Sequence, residues 1–415
     1  MKRVLIIYPH WPPSNLVGVH RVRLIANHLK SHGWQPLVLT VHESHYEEQS
    51  VPALEQLVDS SVEVIKVPAS KAAKIFGRRV VGDLGLRSWK HLRLTAEKRL
   101  TKGDIHFIWF SIPSWYPPLM GPKLKRKFNV PFGVDYQDPW IHALPLGTSA
   151  LSRAGLTQWA ARQLEPRVLK HADLITAINH AYISGIENRH PELHHIPRAT
   201  FQLGFDERDH QFKVSTSEFW DDDQIAFVYA GAFLPLSAPF HRTVFRAAKK
   251  AIEKGQVPNT LQFIYIGTGR PDQPIQKLAK EEGLHHHVQE HPERISFIEV
   301  QQILRSAQAP MVIGSPEAHY SASKVFQCIL TGRPVFSVLH KNSEAATILK
   351  QCGLGQTLAT FSGDLDKLED NISKALVKAS NPSSTTGTDL LPIAPFHAKK
   401  SALTLANAMN SIVTP

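Results

Sequence analysis

The chain has little cysteine: two residues, Cys328 and Cys352, in 415. That is too few for a disulfide framework or a cysteine-rich metal centre. No run approaches the roughly 18 apolar residues that a membrane-crossing helix needs. The apolar run Val4–Tyr8 behind Met1-Lys2-Arg3 is too short for a secretory signal, and Pro9 closes it. A cytoplasmic address is therefore expected. There is no GxGxxG dinucleotide fingerprint, no HExxH, and no GK[ST] after Gly267-Thr268-Gly269-Arg270, so that stretch is not a P-loop. The 23 histidines include the runs His194-His195 and His285-His286-His287, whose spacing is not that of a zinc helix. No metal and no cofactor is expected.

What the chain does have is a folded-protein composition, with 42% apolar and 20% charged residues. Its length allows two or three domains. The net charge of +11 is uneven. Residues 71–102 carry ten cations (among them Arg78, Arg79, Lys98 and Arg99) against Asp83 and Glu97, interleaved with residues such as Phe76, Trp89, Leu92 and Leu94. Such a mixture suits the surface of an anionic membrane. It equally suits an ordinary amphipathic helix with its apolar side turned inward.

Strand-like and helix-like segments alternate. Strands are expected at Arg3–Tyr8, Pro36–Val41, Val62–Val67, His106–Phe110, Phe132–Tyr136 and Leu174–Ile178, with a helix over Val19–Ser31 closed by Gly33. After a polar, acidic stretch the alternation restarts at Ile225–Tyr229. It continues through a helix over His241–Lys254, strands at Gln262–Ile266, Met311–Ile313 and Val335–Val338, and a helix from Ser323 to Thr331. The expected organisation is a Rossmann-like domain over 1–206, a linker at 207–224, a second Rossmann-like domain over 225–380, a flexible linker at 381–396 and a terminal helix over 397–415. The fold class is α/β, with two doubly wound parallel sheets facing across a cleft.

Parallel sheets of this kind bind ligands at the carboxyl ends of their strands, so the loops that follow strands hold the candidates. The first, from Pro9 to Arg21, enters a helix; Gly18 gives close approach and Arg21 offers a planar fork to phosphate or carboxylate. The second, Asp135-Tyr136-Gln137-Asp138-Pro139-Trp140, places two carboxylates at a strand end, suited to acid–base work or to sugar hydroxyls; Asp138 as a mere turn cap is the competing reading. In the second half, Gly231, Gly267 and Gly269 follow strands, either for ligand approach or for tight turns. The stretch Gly314–Val335 puts Ser323 and Lys324 at a helix start, where helix N–H groups and a cation would meet a diphosphate.

These segments, taken in order, resemble family 4 glycosyltransferases, in particular the branch with Asp-Pro-Trp and with Tyr-x-x-Ser-Lys before a helix and Gly-x-Pro after it. The resemblance rests on Pro12-Pro13 through Gly18-Val19-His20-Arg21, Asp135–Trp140, Asp173–Asn179, Val228–Gly231 and Tyr320–Pro334. It implies the GT-B fold and a hexosyltransferase-type activity that retains anomeric configuration. The nucleotide-sugar donor would sit on the second domain and a glycan or lipid-linked acceptor mainly on the first, without an obligatory metal. Implied donor-side residues are Gly231, Gly267, Gly269, Glu317, Tyr320, Ser323, Lys324 and Gln327. Asp135, Asp138 and Lys324 are the implied catalytic groups; Gly18, Arg21 and Gln137 lie on the acceptor and phosphate side. The chain departs from the family in two places: the second of two glutamates usual in this region is replaced by Gln327, which keeps hydrogen bonding and loses charge, and Gln137 stands where many relatives have histidine and the closer branch usually has arginine. Two other readings stand beside the transferase. One is a nucleotide-sugar epimerase of the same fold. The other is a polyanion-binding protein without activity, although no nucleic-acid-reading element is recognisable.

Overall fold

The computed structural model describes the chain except residues 72–73, 76–77, 80–82, 143, 145–146, 213–217, 317–323, 363–365, 382–386 and 414–415. It divides into two compact units, Met1–Gly204 with Phe396–Pro415, and Phe205–Pro395.

The first unit is built on seven strands: β1 (Lys2–Ile7), β2 (Trp34–Val41), β3 (Glu63–Val67), β4 (Phe107–Ile112), β5 (Phe132–Tyr136), β6 (Leu174–Ala177) and β7 (Arg198–Thr200). They form one parallel sheet in the order β3-β2-β1-β4-β5-β6-β7. Its central strands read as unbroken apolar runs because both faces are covered. Alternate side chains go to opposite faces. Leu5 and Ile7 join a core with Leu92, Leu100, Leu124 and Val168. Those four come from α2 (Trp89–Leu100), α3 (Gly121–Phe128) and α4 (Arg153–Leu169). Val4 and Ile6 face the other way and pack with Val22 and Ile25 of α1 (Val17–Leu29). A further helix, α5 (His180–Arg189), follows β6.

Pro36 sits inside β2, opposite Val4, and the strand starts two residues earlier than expected because Trp34 pairs with Lys2.

The second unit has six strands: β8 (Ile225–Ala230), β9 (Leu261–Ile266), β10 (Val288–His291), β11 (Ala309–Ile313), β12 (Phe336–His340) and β13 (Leu358–Phe361). Their order is β10-β9-β8-β11-β12-β13, again parallel. Phe227, Phe263 and Phe336 pack with Val244 and Phe245 of α6 (Ala238–Glu253). The remaining helices here are α7 (Pro274–Glu281), α8 (Phe297–Ser306), α9 (Val325–Leu330), α10 (Glu344–Gln351) and α11 (Asp366–Ser380).

The terminal helix α12 (Ala398–Asn410) belongs to the first unit rather than standing alone. Ala402, Leu405, Ala406 and Met409 recur at helical spacing and are buried with the Val4/Ile6 core. Where the chain leaves and re-enters this unit, a Cβ on Gly204 would run into the Phe396 carbonyl, so only glycine fits. The segment expected as the first linker is tied to the second unit: Arg305 donates to the carbonyls of His210 and Phe212, at 2.6 and 3.0 Å. In the second expected linker, Leu391–Phe396 is a 3-10 turn with Ile393 fully buried. Among the described residues no helix is long and apolar enough to cross a membrane.

Candidate functional site

At the carboxyl end of β1 the loop through Ser14 is held by hydrogen bonds from distant residues. Trp11 donates its backbone N–H to the Tyr46 hydroxyl at 3.0 Å, and Tyr46 donates to the Val41 carbonyl at 2.9 Å. Glu48 accepts from Ser14 at 2.5 Å and pairs with His10 Nδ1 at 2.8 Å. Burial opposes ionisation of Glu48, but the hydrogen bonds from His10 and Ser14 outweigh it and hold the carboxyl down at about 2. Nothing near Ser14 in the sequence signals Glu48.

Arg21 and Asp135 form a buried bidentate ion pair. Nε and Nη2 of Arg21 donate to the two carboxylate oxygens of Asp135 at 2.9 and 2.8 Å. Ser111 and Thr176 add hydroxyl donors at 2.9 and 2.7 Å, and Arg21 Nη1 donates to the Phe201 carbonyl at 2.7 Å. The two side chains are 1% and 0% exposed. The guanidinium expected to reach an anionic ligand, and the carboxylate expected at the chemistry, neutralise each other inside the fold. They fix the ends of α1, β4, β5 and β6 and present no free atom to a substrate.

Gln137 extends this frame. Its amide donates to the Gly18 carbonyl at 3.1 Å and to Ser111 Oγ at 2.8 Å. A Cβ on Gly18 would lie 2.5 Å from the Tyr8 hydroxyl and 3.5 Å from Gln137 Oε1, so glycine permits this closeness. Asp138, the next residue, differs from Asp135 in every respect. It is exposed, and among the described residues its carboxylate accepts no hydrogen bond, so it does not cap the turn before Pro139. Loss of hydration on its protein side raises its affinity for a proton above the ordinary carboxylate range, against the charge of His142. Its charge also helps to push up the Tyr8 and Tyr182 phenols, both raised first by burial. Asp138 is thus the open carboxylate of this edge, with Tyr8 and Tyr182 nearby.

Beside it lies an aromatic recess of about 70 Å³, walled by Trp115, Tyr116, Trp140, His142, Gln158 and Leu164. The Trp115 and Trp140 rings are 6.4 Å apart. Sequence reading missed it because its walls come from two strand-end loops and α4.

In the second unit the glycines serve the framework. The N–H groups of Gly231, Gly267 and Gly269 donate to the carbonyls of Ile266, His291 and Pro292 at 2.8, 2.8 and 3.0 Å, which leaves none for a phosphate. Thr268 bonds Glu290 at 2.8 Å between them. Gly231, at φ 147°, has a second role: a Cβ there would coincide with the Lys324 amine. That amine lies 4.8 Å from the centre of the Tyr229 ring, an attractive cation–π placement. Burial, with the charge of Arg294 acting in the same direction, lowers Lys324 to about 8. Among the described residues no acid pairs with it. A partly buried cation beside a second cation favours a nearby negative charge. Gln327 is half-buried on α9, which starts at Val325, two residues after the expected start. Glu317, Tyr320 and Ser323 lie outside the described residues.

The sequence family described as Glycosyl transferase 4-like domain matches residues 18–195. No curated protein sequence matches the chain. Among solved structures, HepE from Anabaena in complex with UDP and glucose is similar with a TM-score of 0.59 at 16% identity, covering 99% of this chain and 100% of its own. Sucrose-phosphate synthase from Thermosynechococcus elongatus gives 0.55 at 12% identity, over 100% and 95%. A protein assigned as a UDP-N-acetylglucosamine 2-epimerase from Listeria monocytogenes gives 0.52 at 10% identity, over 99% and 96%. At these identities the structures establish the fold, which is GT-B. The matched family domain, residues 18–195, lies within the first unit of that fold.

Proposed function

We propose that this protein moves a sugar from a nucleotide-sugar donor, held by the second unit, to a glycan or lipid-linked acceptor, held mainly by the first. The observation that carries the reading is the Lys324 amine: partly buried, unpaired by any acid among the described residues, and fixed between Tyr229 and Gly231 at the carboxyl end of β8. It is suited to the donor diphosphate, whose charge grows as the C1–O bond breaks and the diphosphate leaves with the electron pair. No metal is then required. Glu317, Tyr320, Ser323 and Gln327 complete the donor set on the strength of the family resemblance. Asp138 engages sugar hydroxyls, with Gly18 and Gln137 shaping the loop beside it. Transfer with retention, in assembly of a surface polysaccharide on the inner face of a membrane, is the expected setting.

HepE is described with UDP, and with UDP-glucose, which supports a uridine nucleotide as the first probe. An epimerase shares the fold, but the transferase-type domain over residues 18–195 favours transfer. The test is a thermal-shift screen with UDP, GDP, ADP and their sugar conjugates. A ligand that binds only the folded state raises the melting temperature. The expected result is a shift with one nucleotide diphosphate and its sugar. No shift with any of them contradicts the reading.

A further inference from the structure

In the helical part of residues 71–102, where a membrane contact is expected, one apolar stripe faces the core. On α2, Leu92, Ala96 and Leu100 are buried. Two of its four Lys and Arg side chains are paired: Arg93 reaches Glu97 at 2.6 Å, as does Lys127 of α3, and Arg99 reaches Asp104 at 2.6 Å. This is an amphipathic helix turned inward. The rest of the cluster, including Arg78 and Arg79, adjoins or lies within residues outside the description.

The opposite arrangement occurs on α4. Its outward face carries Leu156 at 51% and Trp159 at 65% exposure, and Leu151, just ahead of the Ser152 cap, is 83% exposed. Leu156, Trp159, Gln163 and Arg167 follow one another at i, i+3, i+7 and i+11, one stripe of a helix. Arg153 and Arg162 flank the stripe, Lys170 ends it, and all of these cations are exposed. The only acid of the helix, Glu165, is fully buried and satisfied by Arg189, His190 and Tyr136. The face therefore offers large apolar groups, one of them tryptophan, ringed by cations and free of acids.

We infer that the outer face of α4, with Leu151, is a docking surface for an anionic lipid bilayer. Tryptophan favours the headgroup level of a membrane, where an apolar body and a polar N–H are both satisfied. Cations beside it are attracted by anionic headgroups, and no carboxylate on this face opposes them. A protein partner would need acids to match four cations; a bilayer supplies that charge without a fixed pattern. The aromatic recess strengthens the assignment, because Thr157, Ala160 and Leu164 of the same helix line it. A molecule anchored in the bilayer would reach the recess along the edge of the docked face. The docking itself does not depend on the transferase reading.

The test is flotation of the full chain with phosphatidylcholine vesicles and with mixed phosphatidylcholine–phosphatidylglycerol vesicles at low salt. Binding is expected only with the anionic vesicles. The double variant Leu156→Ser/Trp159→Ser, and separately the triple variant Arg153→Glu/Arg162→Glu/Arg167→Glu, should each weaken it roughly tenfold or more. Both should melt like the wild type, since these side chains are exposed, and both should bind nucleotide unchanged, which keeps this proposal separate from the donor site. Arg78→Glu/Arg79→Glu should float as the wild type does. Three results would overturn the inference: no flotation of the wild type, flotation undiminished in both α4 variants, or a wild-type dimer that the double variant dissociates without altering flotation.

Discussion

The guanidinium of Arg21 closes on both carboxylate oxygens of Asp135 in the interior of the first unit, across 114 positions of sequence. Removal of one member leaves the other charge buried and uncompensated, which costs about 3–5 kcal/mol. Arg21→Ala should therefore lower the unfolding free energy by about that amount in urea titrations, and Arg21→Ala/Asp135→Ala should recover part of the loss. An Arg21→Ala protein of normal stability that has lost only ligand binding would return Arg21 to the binding surface.

Asp138 should show the reverse behaviour. Its carboxylate supports no turn, so Asp138→Asn and Asp138→Ala should both stay within about 0.5 kcal/mol of wild-type stability. Sugar transfer should fall by roughly a hundredfold or more in both, the scale of losing a positioned acid–base group. Intact activity in Asp138→Asn with unfolding of Asp138→Ala would reinstate a capping role.

Glu48 gives a pH signature. Its carboxyl is lowered from 4.5 to about 2 in the folded protein, so the folded state binds fewer protons between those values than the unfolded chain does. The resulting stability is complete above about pH 4.5 and is lost as pH falls through about 2. Unfolding free energies of the wild type and Glu48→Gln should differ by about 1–3 kcal/mol near neutrality. They should converge in acid; a gap independent of pH would contradict this.

Gly231→Ala should disturb the donor site through Lys324. The added methyl takes the place of the amine and also meets an unfavourable φ. Nucleotide affinity should drop roughly tenfold or more, and the stability cost should be smaller in a Lys324→Ala background, where the space is free. Equal costs in the two backgrounds would show that the backbone angle alone matters.

The fold was legible where strands are covered on both faces. β1, β4, β8 and β9 read as continuous apolar runs. The strands missed, β7, β10 and β13, are all at sheet edges, where a single neighbour and partial burial leave a short or alternating pattern. Site residues were legible as loops after strands but not as partners. Asp135 and Asp138 look alike in sequence, three positions apart. Only the fold delivers Arg21, Ser111 and Thr176 to the first and leaves the second open. Glycines after β8 and β9 were legible as special positions, yet their amides bond neighbouring strand-end loops. Lys324 stood out by its spacing, whereas Tyr229 beneath it could be found only through the parallel arrangement of the second sheet.

The central claim is that Lys324 holds the donor diphosphate, and isothermal titration of UDP into the wild type and Lys324→Met tests it most directly. Loss of this charge should weaken binding by roughly 2–4 kcal/mol, about thirtyfold to a thousandfold. Because the free amine titrates at about 8, wild-type affinity should decline as pH rises through that value, with proton uptake on binding, and the variant should show neither effect. Equal affinity in the two proteins, or a wild-type pH profile that persists in Lys324→Met, would contradict the account.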